Sequence, residues 1–218
     1  MEKRVETNAE AMALLRERGL NEETIAHFQI EPDLKKQAWS YPVLYRGKVV
    51  TTRYKRFPNC QGKKYWWTEK GITFPVYGLD DVQGKTEVWL VAGEADLWIC
   101  YQAGLKTIAF LFGEGTVSKE AAGLIREAGI KKLNIVYDLD DAGQKGAQKV
   151  AQTLRSEGFE VSIRELPDYL GKGGDLTDLY RRLAFDALKF RQVIEGLREE
   201  RREGEPIVLH PAMEVKPD

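Results

Sequence analysis

Along the 218-residue chain the spacing of apolar positions changes near residue 85. Beyond that point four short apolar runs recur: Val88-Trp89-Leu90-Val91, Thr107-Ile108-Ala109-Phe110-Leu111, Leu133-Asn134-Ile135-Val136 and Val161-Ser162-Ile163. Each has the length of a buried strand. Helical stretches alternate with them. One reaches Gln102-Ala103-Gly104, one runs over about Ser118 to Ala128, and one carries Ala147, Val150, Ala151 and Leu154 on a single face. After the fourth run, Leu166-Pro167 and the turn Gly171-Lys172-Gly173-Gly174-Asp175 lead into a helix at Leu176-Thr177-Asp178-Leu179-Tyr180. This order predicts an α/β unit: a mostly parallel sheet flanked by helices.

Upstream the pattern is α+β. Thr7 to Arg18 reads as a helix stopped by Gly19, and Asn21 can cap a second through His27. Strands follow at about Tyr41–Arg46 and Val49–Arg56, joined near Gly47. Asn59 to Gly62 reads as an exposed turn, Tyr65–Thr68 as a further strand, and Leu79 to Gly84 as a link to the α/β unit. A last helix is expected over Phe185 to Arg202, densely charged beyond Glu195. The Pro-containing tail after Gly204 has no periodicity and reads as a linker or flexible end. Three segments result: residues 1–84, 85–183 and 184–218.

A hydrophobic content of 43% with 31% charged residues suits a soluble globular chain, large enough to bury a core. No apolar stretch approaches the ~20 residues of a membrane-spanning helix, and no signal-peptide core opens the chain. No membrane association is expected. Cys60 and Cys100 form neither a disulfide framework nor a zinc site, which agrees with a cytoplasmic location. No GxxxxGK[ST] occurs, so a fused helicase motor is not expected.

The net charge of −1 conceals an asymmetry. Between Lys35 and Lys70 ten basic residues face one acidic residue, Glu69, a balance of +9. Trp39, Tyr41, Tyr45, Tyr54, Phe57, Tyr65, Trp66 and Trp67 are interleaved with them. Cations follow a phosphate backbone and aromatic faces stack on bases, so this lobe suits single-stranded nucleic acid. The alternation of Tyr41, Val43 and Tyr45 assigns part of the set to a core face instead.

Candidate chemistry centres on Tyr137-Asp138-Leu139-Asp140-Asp141, which closes a strand and opens a helix. Asp138 and Asp140 are two residues apart at the carboxyl end of that strand, the edge where ligands bind in open α/β sheets. Two converging carboxylates ask for a cation, and hard oxygen ligands suit Mg²⁺ or Mn²⁺. The alternative is that one Asp caps the helix and the other is solvated. Acidic residues recur at the other strand ends, as Glu94 and Asp96, Glu114, and Asp175. Lys172 is a candidate phosphate contact, whereas His27 reads as structural and His210 as solvated.

Gly93-Glu94-Ala95-Asp96, then Asp138-Leu139-Asp140 followed by Ala142-Gly143, then Asp175 before a helix, resemble the motif series of the topoisomerase–primase (Toprim) fold. Leu14-Leu15-Arg16-Glu17-Arg18-Gly19-Leu20 with Phe28, then Tyr41-Pro42-Val43, Gly47-Lys48-Val49-Val50, Lys64-Tyr65 and Tyr77-Gly78-Leu79, are similar in order to the opening of bacterial or phage-type DNA primase catalytic cores. These pieces cover most of Arg18 to Tyr180. The resemblance implies a Toprim sheet preceded by a basic lobe, and metal-dependent synthesis of short primers on a single-stranded DNA template. It implies Asp138, Asp140, Asp175 and Glu94 as metal ligands, with Asp96 on the same rim. It implies Lys64, Arg53 or Lys55, with Lys48, Trp66 and Trp67, as contacts to template or ribonucleoside triphosphates. A replicative helicase and a separate zinc-binding module are further candidate partners.

The chain departs from the family at Ala92, which stands where the catalytic Glu is expected. A natural replacement served by a neighbour, a non-catalytic protein, and an introduced change all remain open. Glu114 is the obvious substitute, because neighbouring strand ends lie only ~5 Å apart. Gly174 replaces the lysine of the family's "KD", and Lys70 only approximates a lysine expected before Tyr77. Besides primer synthesis, a non-catalytic nucleic-acid-binding module and a Toprim nuclease are the competing functions. A receiver domain also places Asp residues at strand ends but leaves the basic, Trp-rich lobe unexplained.

Overall fold

The computed structural model describes residues 4–58, 60–68, 74–112, 115 and 117–199. The expectations placed on Asn59, Glu69, Lys70, Glu114 and the tail beyond Glu199 lie outside the described residues. Helix α1 (Asn8–Glu17) opens on a capping box. The Glu10 amide donates to Thr7 Oγ1 at 3.1 Å, and the Glu10 side chain accepts from the Thr7 amide. Asn21 caps α2 (Glu22–His27) through the Thr24 amide at 2.8 Å.

The first sheet is antiparallel, in the order β1 (Glu31–Asp33), β2 (Ala38–Tyr45), β3 (Lys48–Arg56), β4 (Tyr65–Trp67). Strand β1 was not expected. It is short, lies at the edge and contains Pro32, a residue that edges tolerate and central strands do not. Trp39, Tyr41 and Val43 form the buried face of β2. Tyr41 pairs with Arg53 and Trp39 with Lys55, so two cations share that inward face. Arg53 in turn pairs with Trp67 and Lys55 with Tyr65, whereas Trp66 pairs with Tyr54 on the outer face. Period-two alternation therefore separates Trp66 from Trp67. The two rings lie on opposite faces of the sheet.

The second sheet has the order β5-β7-β6-β8-β9, with β5 (Val76–Tyr77), β6 (Glu87–Val91), β7 (Thr107–Phe110), β8 (Lys132–Val136) and β9 (Glu160–Ile163). The last four strands run parallel and match the four expected apolar runs; β5 adds an antiparallel edge. That edge strand comes from residues 76–77, so the sheet reaches back across the expected boundary at residue 84. Helices α3 (Glu94–Gln102), α4 (Lys119–Glu127) and α5 (Asp141–Ser156) connect the parallel strands, and α6 (Leu176–Arg182) and α7 (Ala187–Glu195) follow. Because β7 and β8 flank β6 on opposite sides, the strand order switches at the carboxyl end of β6. Such a switch point opens a crevice.

The expected helix over 185–202 ends at Glu195, stopped by Gly196, and Glu199 instead forms a β-bridge with Arg164. Phe190 and Ile194 are fully buried, and the Phe190 ring lies 5.2 Å from that of Tyr180 on α6. The polar look of this segment hid two core residues.

Two helical glycines give opposite expectations. A Cβ at Gly143 on α5 would lie 2.4 Å from the Asp138 carbonyl oxygen, while one at Gly123 on α4 meets nothing within 4 Å. Gly143→Ala should destabilise the fold by ~1–3 kcal/mol through overpacking. Gly123→Ala should stabilise it by ~0.5–1 kcal/mol through helix propensity. Urea unfolding of the two variants checks both signs; equal effects would contradict the close approach of α5 to the Asp138 loop.

Candidate functional site

Between the two sheets lies a cavity of about 280 Å³ at the switch point. The N-terminal lobe contributes Arg18, Arg53, Lys55 and Lys64, and the Toprim-like lobe contributes Glu94, Asp96, Asp138 and Asp175. Four cations therefore face four carboxylates across one space.

The carboxylates arrive by different routes. Glu94 and Asp96 stand in the first turn of α3, directly after β6, and are only 3% and 9% exposed. Asp138 lies in the loop after β8. Asp175 caps α6, accepting from the Asp178 amide at 2.7 Å. Two backbone bonds tie the Asp138 loop to the Gly-rich turn: Leu139 N–H to the Gly174 carbonyl at 2.9 Å, and Gly173 N–H to the Leu139 carbonyl at 2.8 Å. They hold Asp175 beside Asp138. Burial, and then the charges of Asp138 and Asp175, push the Asp96 carboxyl well above the usual carboxylate range.

Asp140 behaves differently. Its Oδ1 accepts from the Gly143 amide at 2.6 Å as the N-cap of α5, and it lies outside the cavity lining. The strand ends at Val136, so the geometry that would aim both DxD carboxylates the same way has already ended at Asp138. Helix capping needs an acceptor at position 140 and takes this one.

On the opposite wall, Glu94 Oε1 accepts from the Tyr41 hydroxyl at 3.0 Å and from Arg53 Nε. The Arg53 guanidinium lies 5.1 Å from the Tyr65 ring centroid and 4.6 Å from that of Trp67. Lys55 is 4% exposed and donates to the Tyr65 hydroxyl. Burial holds its ammonium below the usual lysine range, Glu94 opposes that shift, and Arg18 and Lys64 add to it. Burial also raises the Tyr65 phenol. Lys64 is exposed at the rim, 5.5 Å from the Tyr65 ring. Lys48, Trp66 and Trp67 lie outside the lining; Trp66 stacks on Tyr54 at 5.3 Å beneath the Arg56 guanidinium.

Arg18 and Thr177 line the cavity and were not singled out from sequence. Arg18 stands in the Arg18-Gly19-Leu20 stretch that carried the family resemblance, and that was the available signal. Ala92, half-buried, follows β6 and lines the cavity. The parallel register of Val91 with Val136 sets it beside the chain leading to Asp138. At Gly174 a Cβ would meet Leu170 Cβ at 2.6 Å, so the tight turn has no room for the family's lysine. Lys172, two residues earlier, pairs with Asp141 at 3.6 Å on the surface.

The donor chemistry suits a hard divalent cation: oxygen ligands only, and like charges whose repulsion a cation relieves. Among the described residues, no three His, Cys, Asp or Glu side chains are gathered closely enough to enclose an ion as they stand. Asp96, Asp138 and Asp175 are the lining carboxylates whose mutual repulsion a cation would relieve.

The Toprim domain family model matches residues 86–164. The curated DNA primase of Clostridium acetobutylicum is 27% identical over 167 residues, covering 72% of this chain and 26% of that protein. The chain thus spans about a quarter of that relative's length. The Aquifex aeolicus primase structure, comprising zinc-binding and RNA polymerase domains, superposes with a TM-score of 0.72 at 21% identity, over 89% of this chain and 57% of that one. A DnaG primase catalytic domain bound to single-stranded DNA gives 0.61 at 23% identity, over 84% and 73%. Residues 86–164 thus match the Toprim domain model, and the chain as a whole has the fold of the DnaG-type primase cores on which it superposes.

Proposed function

We propose that this chain is the catalytic core of a primase, joining ribonucleoside triphosphates on a single-stranded DNA template. One observation carries the reading: the cations of the basic lobe and the carboxylates of the sheet switch point line the same cavity. A triphosphate needs the first set, and its accompanying divalent cation needs the second. Asp96, Asp138 and Asp175 would hold Mg²⁺ or Mn²⁺, which when bound neutralises charge building on the phosphates. Arg53, Arg18 and Lys64 bind phosphate oxygens. Tyr65 lines the cavity beside Arg53 and narrows the space against water, and a cavity carboxylate takes the proton of the attacking 3′-hydroxyl. The DNA primase relative and the structure of a primase domain with single-stranded DNA support the choice of substrate class.

Ala92 supports a second reading, a nucleic-acid-binding module without chemistry, because a methyl group lines the cavity where the family places a carboxylate. Ala92→Glu separates the two. Incubated with single-stranded template, labelled ribonucleotides and Mn²⁺, this variant should raise primer synthesis by up to ~10²–10⁴-fold, the contribution of a positioned acid or base. Absence of products from both forms, with template binding retained, would establish the binding module instead; template cleavage would point to a nuclease.

The acidic cluster should also lower stability. A carboxyl raised on folding keeps its proton longer in the native state than in the unfolded chain. Its cost is absent below the ordinary aspartate range, grows as pH rises through that range, and is complete above the folded value. Asp96→Asn in EDTA should therefore melt at a higher temperature than the parent at about pH 9, the gap closing as pH falls towards about 4. The same variant should bind Mn²⁺ more weakly. Identical melting curves across pH would refute the repulsion among these carboxylates.

A further inference from the structure

The contacts of Glu94 differ in kind from those of the other cavity carboxylates. Its Oε1 already accepts two hydrogen bonds, from the Tyr41 hydroxyl and from Arg53 Nε, and the whole group is buried. Tyr41 and Arg53 are register partners on β2 and β3, so the first sheet delivers both donors to one point. The guanidinium already supplies the counter-charge of this buried carboxylate, so a cation is not needed to neutralise it. Asp96, by contrast, faces the like charges of Asp138 and Asp175.

The nitrogen that Arg53 commits is informative. Nε is the guanidinium nitrogen nearest the chain, so anchoring there keeps the two terminal nitrogens for another acceptor. The rings of Tyr65 and Trp67, 5.1 and 4.6 Å from the guanidinium carbon, flank the planar group and restrict its rotation. Arg53 lines the cavity. A guanidinium fixed at Nε and packed against aromatic rings is a preset fork, the geometry that recognises phosphate oxygens in pairs.

We infer that Glu94 is a positioning residue that holds Arg53 as a preorganised fork for the phosphates of a nucleoside triphosphate, and is not a metal ligand. The inference rests on the reading that the cavity takes such a triphosphate. It assigns the metal to Asp96, Asp138 and Asp175 alone, and it makes triphosphate binding partly independent of the cation.

ATP binding in EDTA, followed by calorimetry, and Mn²⁺ binding without nucleotide, followed by the spin resonance of the free ion, test it on the full chain. Glu94→Ala should weaken metal-free ATP binding by about tenfold, the scale of one lost charge-assisted contact. Glu94→Gln keeps an acceptor for Nε and for the Tyr41 hydroxyl and should bind ATP at least as well as the parent. Mn²⁺ affinity should be kept in Glu94→Gln and lost in Asp138→Asn, the two measured side by side. Arg53→Lys keeps the counter-charge to Glu94 while removing the fork, so it should weaken metal-free ATP binding and leave Mn²⁺ affinity unchanged. ATP binding equal to the parent in this variant overturns the positioning role even where the Glu94 variants do not fold. Loss of Mn²⁺ affinity in Glu94→Gln, or ATP binding by Glu94→Ala equal to the parent, would overturn the positioning role. A parent that binds ATP with Mn²⁺ but not in EDTA overturns it too, leaving the primase reading intact. A parent that binds ATP under neither condition removes both.

Discussion

A buried charge must find a counter-charge, and in this protein that requirement joins the two lobes. Arg53 projects from the inner face of the antiparallel sheet and is 7% exposed; Glu94 projects from the first turn of α3 and is 3% exposed. Each lobe supplies the counter-charge for the other's ion, so the two lobes close over these charges only as a pair. The Tyr41 hydroxyl, from the strand beside Arg53, reinforces the same carboxylate. Around this contact the Tyr41 ring packs 5.0 Å from Trp98 and 5.7 Å from Tyr77, so the polar junction is sealed by aromatic core. The cavity lies where the seal opens.

The opposite wall depends on backbone rather than charge. The Asp138 loop and the Gly-rich turn exchange two hydrogen bonds, and Gly143 lets α5 approach the Asp138 carbonyl more closely than any side chain permits. Gly174 has the same character, its missing Cβ leaving room for Leu170. These contacts fix the spacing of Asp138 and Asp175, and they place both near the buried Asp96. An arrangement of like charges is unfavourable for folding and suited to binding a cation. Stability given up at one point for function is a familiar trade in marginally stable proteins.

Ala92 and Gly174 both depart from the family pattern at the cavity, yet differ physically. Gly174 sits in a turn whose packing excludes a longer side chain, so its surroundings have adapted to it. Ala92 lies half-buried against the core with its methyl at the cavity. No comparable constraint accounts for the missing carboxylate there.

The sequence by itself determined the elements governed by local rules. The four parallel strands followed from short apolar runs, α5 from its single apolar face, the end of the first helix from Gly19 and the start of the second from Asn21 as its cap. Motif order identified the Toprim sheet and the basic lobe before it. Pairings between distant segments were decided only in three dimensions. Strand β5 exists because Val76–Tyr77 meets β7, and α7 is core because Phe190 meets Tyr180. Asp140 and Asp175 both cap helices, yet only Asp175 lines the cavity, while Arg53 and Lys55, which read as surface cations in a basic stretch, became buried ones. Periodicity records how a residue faces its own element, and composition records which charges must be satisfied. Which partner satisfies them depends on strand order and register, and those are properties of the assembled fold.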